Sequence, residues 1–278
     1  MPAKKKPFNL TSDNYFSRLR PHISNSQITD YLKSPAFYKK KYIEQVIPFN
    51  LTDPMKVGLM VDAILTQPDK NLYQSKVLRR DNLELFNHQK TIDDKYLLTP
   101  LNYDKATAIA FHIDKQPFWQ DNLDDALFQQ VLEGEMNNLQ VCSLPDRIDA
   151  LGDQKWRMTD VKVVSAMKIS SPQKWLWNCL EMGYIRQAAM YRLLWAEKQG
   201  VPKENISFYH AVGTQVQEGL CKVKLYKLPE SFLVQAEIEI DYALTGIKNK
   251  EFKDIPVVWS CAERFNEFEP ADDEEGFE

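Results

Sequence analysis

The chain has 278 residues, 44% of them hydrophobic and 12% aromatic, with a net charge of −4 and a pI near 5.7. That length and composition exclude an intrinsically disordered chain and allow a sizeable core, in one large domain or two small ones. No apolar run approaches the ~18–20 residues that cross a bilayer. The basic start, Met1-Pro2-Ala3-Lys4-Lys5-Lys6-Pro7, lacks the apolar stretch of a secretory signal, so a cytoplasmic protein without a membrane partner is expected.

In chain order, residues 1–22 read as a mobile basic arm and residues 23–265 as a single domain. A helix cap at Asn25-Ser26 precedes Ile28, Tyr31 and Leu32, and Ser34-Pro35 restarts a helix through Tyr42. Residues 55–66 predict a mostly buried helix, and residues 99–116 place Leu101, Ala106, Ile109, Ala110 and Ile113 at helical spacing. The period then changes. Segments 128–135, 139–151 and 155–164 predict three consecutive strands, with Gly152-Asp153 as the turn between the last two. Helices follow over 171–182 and 184–199, then strands over 206–212 and 220–227, and a long helix from Pro229 to about Asn249. The pattern predicts one α/β (α+β) domain, a mixed central sheet flanked by helices, with a helical N-terminal lobe. Residues 266–278 are acidic and read as a disordered tail.

The sharpest chemistry lies in Leu144-Pro145-Asp146-Arg147-Ile148-Asp149 and Thr159-Asp160-Val161-Lys162. On adjacent antiparallel strands, Asp146 and Asp160 come near each other. Asp160 and Lys162, two apart, point to one face. Charges on an apolar strand each need a partner, a metal or water. Hard divalent cations prefer carboxylate oxygens, so Asp146 and Asp160, with the Val161 carbonyl, are candidate ligands for Mg²⁺ or Mn²⁺. Lys162 can then orient a water and offset charge on a phosphate. The alternative is a surface hairpin whose Asp and Lys simply pair.

Gln187 and Tyr191, four apart, share a helix face, which an ordinary amphipathic helix would also produce. Asp62 is a lone carboxylate in the apolar run Gly58-Leu59-Met60-Val61-Asp62; it reads as a cap, an ion-pair partner or a ligand. Glu135 ends a predicted strand and is either a further ligand or an exposed strand end.

Taken in order over roughly residues 23–195, these features resemble the RecB-like branch of the PD-(D/E)XK nucleases, and within it the exodeoxyribonuclease VIII (RecE) type of phage recombination systems. The resemblance includes Ile23-Ser24-Asn25-Ser26-Gln27-Ile28, Ser34-Pro35-Ala36-Phe37-Tyr38, the Gly58 helix, Pro145-Asp146, Asp160-Val161-Lys162, and Gln187 with Tyr191. It implies a restriction-endonuclease-like core, metal ligation by Asp146 and Asp160, a catalytic Lys162, and a Gln187/Tyr191 element beside the active site. The Gly58 segment of the family normally ends in a metal-binding His, where this chain has Asp62. That departure keeps open a DNA-binding or scaffolding protein on a nuclease fold. The iron–sulfur branch uses a cysteine quartet, which Cys142, Cys179, Cys221 and Cys261, about 40 residues apart, do not match, so no cluster is expected.

The implied activity is metal-dependent hydrolysis of DNA, exonucleolytic, in phage-type recombination or end processing; a phage-encoded enzyme would work in the host cytoplasm. DNA contacts are expected from Lys39, Lys40 and Lys41, which lie among Phe37, Tyr38 and Tyr42, and from Arg186. The acidic tail resembles the partner-recruiting tips of single-strand DNA-binding proteins, so a single-strand annealing or single-strand DNA-binding protein is a candidate partner, and an oligomer is compatible with the sequence.

Overall fold

A computed structural model describes residues 10–254 apart from 12, 13, 16, 18–20, 49, 68, 71, 218 and 219. Lys4, Lys5, Lys6, the acidic tail 266–278 and Cys261 lie outside the described residues.

Short polar side chains and prolines set the helix starts. The first helix, α1 (Asn25–Lys33), opens on a capping box in which the Ser24 N–H donates to Gln27 Oε1 at 3.0 Å. Ser34 then caps α2 (Pro35–Tyr38), accepting from the Phe37 N–H, and a π-helical turn (Lys39–Ile43) continues it. Next come α3 (Asp53–Thr66), a two-residue β1 (Gln74–Ser75), α4 (Leu83–Gln89) and β2 (Leu97–Leu98). Thr99 caps α5 (Pro100–Asp114), which α6 (Pro117–Gln120) follows.

The strands are β3 (Leu127–Phe128), β4 (Leu132–Met136), β5 (Leu139–Ser143), β6 (Arg147–Gly152) and β7 (Lys155–Val163). After them come α7 (Pro172–Met182), α8 (Tyr184–Gln199), β8 (Ile206–Gln217), β9 (Leu220–Lys227) and α9 (Glu230–Lys248). Among the described residues, five strands form a mixed sheet in the order β3-β6-β7-β8-β9, in which only β7 and β8 run parallel. One face carries α7, α8, α9 and α1 over Ile148, Met158, Phe208 and Val212. The other carries α3 and α5 over Val161, Val163 and Val223. The mixed sheet between helical layers is the expected α/β architecture.

Two expected strands are each cut in two. The segment 139–151 divides at Leu144-Pro145-Asp146 into β5 and β6, which belong to different sheets. Proline offers no N–H to a ladder, so pairing ends there. The segment 128–135 divides at Gln129, whose φ of 48° turns the backbone out of the extended region. Helix α4 was not expected; Asn82 caps it by accepting from the Leu85 N–H.

Close approaches are bought with glycine at two points. A Cβ on Gly213 of β8 would meet Ile109 Cγ2 of α5 at 2.5 Å. Gly183, at φ +73°, joins α7 to α8, and a Cβ there would meet Thr29 Oγ1 of α1 at 2.3 Å. Leu10 and Tyr15, within the segment read as an arm, are buried against Cys142 and Leu144. Among the described residues, Cys142, Cys179 and Cys221 are buried in three separate apolar clusters. No helix among them is long and apolar enough to cross a membrane.

Candidate active site

The break at Pro145 creates the site. The β6–β7 ladder ends at Arg147 opposite Thr159, and the Asp146 side chain then continues it, its Oδ2 accepting from the Val161 N–H at 2.7 Å. A strand residue's N–H and C=O point to the same side, so the Val161 carbonyl also faces Asp146, beyond the end of β6. The backbone next to Asp146 is anchored by the fully buried Arg147, which donates to the Trp119 and Asp121 carbonyls and pairs with Asp149. Arg157 also reaches Asp149, at 3.0 Å, so neither the two guanidinium groups nor the carboxylate is buried unpaired.

From the α3/α5 side, Asp62 reaches the same place. Gln129 Nε2 donates to Asp62 Oδ1 at 3.0 Å, to Asp62 Oδ2 at 3.1 Å and to Asp146 Oδ1 at 3.2 Å, bridging the two carboxyls. Burial, with the Asp160 charge adding to it, raises the Asp62 pKa from 3.8 to about 6; the hydrogen bond with Asp146, Lys162 and Gln129 oppose the rise. Burial and the charge of Asp62 push Asp146 well above the usual carboxylate range. Two acids in contact titrate as a pair that holds on to a proton.

On the sheet's other face, Asp160 and Lys162 form a buried ion pair. Lys162 Nζ also donates to Gln187 Oε1 at 2.9 Å and lies 4.4 Å from the centre of the Tyr184 ring. Burial works against the ammonium, but Asp160, Tyr184 and Asp146 outweigh it and hold the Lys162 pKa above that of free lysine. Gln187 Nε2 donates to the Tyr191 hydroxyl at 2.6 Å, and that hydroxyl donates to the Leu144 carbonyl at 3.0 Å. Lys162 is thereby tied through α8 to the residue two before Asp146. Tyr184, Gln187 and Tyr191 fall at i, i+3 and i+7, one face of a helix.

Sequence reasoning missed Tyr184 and Gln129. The helical period placed Tyr184 beside Gln187, a readable signal. Gln129 carried none, because its place depends on the left-handed backbone turn after β3 and on the arrival of α3.

The structure therefore brings together Asp62, Asp146, Asp160, the Val161 carbonyl, Lys162, Gln187 and Tyr191. It does not bring Glu135 to them. Glu135 lies at the turn end of the β4–β5 hairpin, opposite Gln140, whose amide it accepts from at 3.2 Å. Arg186 turns away to pair with the buried Glu239 of α9 and is committed to helix packing. Lys39 pairs with Glu44 at 2.9 Å and Lys41 with Asp30 at 2.7 Å, while Lys40 is exposed.

For a divalent cation, the donors that fit are the Asp62 and Asp146 carboxyls, held in contact at the edge of a cleft, with the Val161 carbonyl facing Asp146. All are hard oxygens, the set that suits Mg²⁺ or Mn²⁺. Among the described residues, no three His, Cys, Asp or Glu side chains converge as a ready-made metal cage. Asp160 is turned toward Lys162 instead. Asp62 and Gln129 open onto a cleft of about 1230 Å³, lined also by Lys41, Lys70, Lys95, Tyr42, Tyr73 and Tyr96.

A crystal structure of a Eubacterium rectale protein provisionally named an exonuclease superposes with a TM-score of 0.64 at 17% identity, covering 94% of each chain; at that identity the likeness is one of fold. The solved structure of SSO0001, at 14% identity over 73% of this chain and 82% of its own, gives a TM-score of only 0.30. No curated protein matches significantly. A sequence model of the PD-(D/E)XK nuclease superfamily matches residues 22–263, nearly the whole described chain. This chain belongs to the PD-(D/E)XK nuclease superfamily.

Proposed function

We propose that this nuclease is a metal-dependent deoxyribonuclease of the RecB-like, RecE type that degrades DNA from an end, in phage-type recombination or end processing. The observation that carries the reading is the contact of Asp62 and Asp146 within the group that also holds Asp160 and Lys162. Position 62, where the resembled family has histidine, supplies a hard oxygen donor in contact with Asp146, whose own carboxyl accepts from the Val161 N–H. Asp62, Asp146, the Val161 carbonyl and, after a turn of its side chain, Asp160 would hold Mg²⁺ or Mn²⁺. When bound, such a cation supplies Lewis-acid neutralisation of phosphate charge and acidifies water.

The remaining work falls to the chain. Lys162, kept protonated, presents a fixed positive charge to a pentavalent phosphate, and Gln187 and the Tyr184 ring stop it from swinging away. Gln187 and Tyr191 hold Lys162 and the Leu144-Pro145-Asp146 turn at a constant separation. The cleft, with lysines beside tyrosine rings, suits a DNA strand whose phosphates meet cations while its bases stack. Lys40 remains a candidate DNA contact at the surface.

The decisive assay incubates linear and covalently closed circular DNA with Mg²⁺, Mn²⁺ or EDTA. An exonuclease degrades the linear form alone, and only with a cation. Cleavage of closed circles would refute the end-dependent reading. Binding without cleavage under every condition would favour a scaffolding protein on the nuclease fold.

A further inference from the structure

Gln129 lies where neither its residue type nor its sequence neighbours point to a role. Its backbone N–H donates to the Asp146 carbonyl at 3.1 Å, and its φ of 48° aims the side chain between α3 and the start of β6. There a single NH₂ group makes three contacts of 3.0, 3.1 and 3.2 Å to oxygens of two different carboxyls, those of Asp62 and Asp146. A donor in that position does the electrostatic work of a cation. It bridges two carboxyls held in contact at the edge of the cleft.

We infer that the Gln129 carboxamide is an internal stand-in for the divalent cation, a latch on Asp62 and Asp146 that must release both before the ion can bridge them. The inference rests on the reading that these two carboxyls hold the metal. The physical reason for exclusion is simple. An N–H carries a partial positive charge and cannot remain against the same oxygens once a divalent ion sits among them. The latch stabilises the metal-free state without equal benefit to the loaded one, so by linkage it weakens cation binding. Gln129 also borders the cleft, so the freed amide has somewhere to go.

The test measures cation binding and needs no turnover. Titrate the full-length protein and its Gln129→Met and Gln129→Ala variants with Mg²⁺ by calorimetry, and with Mn²⁺ by electron paramagnetic resonance of the free ion. Methionine keeps the length and shape of the side chain without its donor. The latch predicts that both variants bind tighter than wild type, on the order of tenfold, since hydrogen bonds to charged groups are among the stronger ones. Unchanged or weaker binding in a folded Gln129→Met protein overturns the latch, and marks Gln129 as a brace that positions the carboxyls for the metal. Should wild type and the variants bind neither ion, the latch falls together with the metal assignment. Binding by wild type without tightening in the variants sinks the latch alone. Thermal unfolding in EDTA checks that each variant is folded.

Discussion

Replacing Asp62 by asparagine removes one member of the acid pair while keeping the side chain's shape. Its effect on stability should depend on pH in a defined direction. In the folded protein the Asp62 pKa is raised from 3.8 to about 6, first by burial and then by the charge of Asp160. A raised carboxyl pKa means that the folded state holds its proton more tightly than the unfolded chain does. The stability this contributes is present in full below pH 3.8 and is lost as pH climbs through about 6. The difference corresponds to about 3 kcal/mol, an upper bound because Asp62 is half-buried at the edge of a cleft and titrates with Asp146. Urea unfolding of wild type and Asp62→Asn in EDTA, between pH 4 and pH 8, isolates this contribution. The stability of the variant relative to wild type should grow by up to about 3 kcal/mol across that range. A difference that stays constant with pH would refute the argument that Asp62 and Asp146 form a strained, proton-sharing pair.

Other perturbations follow from the same geometry. Lys162→Met should reduce DNA cleavage by at least ~100-fold, the scale seen when a preorganised charge or donor is removed; Asp160→Asn tests its buried partner in the same cleavage assay. Tyr191→Phe removes the donor to the buried Leu144 carbonyl and frees Gln187, so it should cost about 1–2 kcal/mol in urea unfolding and lower the cleavage rate. Asp149→Ala removes the carboxylate that two buried arginines share, leaving Arg157 its pair with Asp121 and Arg147 only backbone carbonyls, and a loss of about 3–5 kcal/mol is expected in the same measurement. His210, fully buried, has its pKa lowered well below 6.5, by burial first and then by Lys162. Its folded form is neutral, so His210 contributes a loss of stability as pH falls below 6.5, up to about 1.4 kcal/mol per pH unit and opposite in sign to the Asp62 contribution, and the stability of His210→Gln relative to wild type should grow on acidification in thermal or urea melts.

Much of the candidate site was legible because its residues sit at spacings that secondary structure turns into geometry. Asp160 and Lys162 share a strand face whatever the sheet order, and Gln187 and Tyr191 share a helix face whatever that helix packs on. Asp62 was legible as an acid in an apolar helix, though not its contact with Asp146, which requires α3 to cross the sheet. Glu135 was misleading for the complementary reason. It follows the strand pattern, but the hairpin that carries it is not part of the central sheet. Arg186 has the right charge one position from Gln187, and that single position turns it roughly 100° around the helix, to the buried Glu239.

Taken alone, the sequence determined most of the elements and their faces. Caps such as Ser24, Ser34, Thr99 and Ser171 and the period-2 and period-3.6 patterns are local, and their energetics are settled within a few residues. Tertiary structure alone decided which faces meet. Pro145 ended one ladder and left Asp146 to finish it. The left-handed turn at Gln129 aimed an amide at two acids that lie 84 positions apart in the chain (62 and 146). Such contacts depend on the packing of distant segments into one core, and no local preference encodes them.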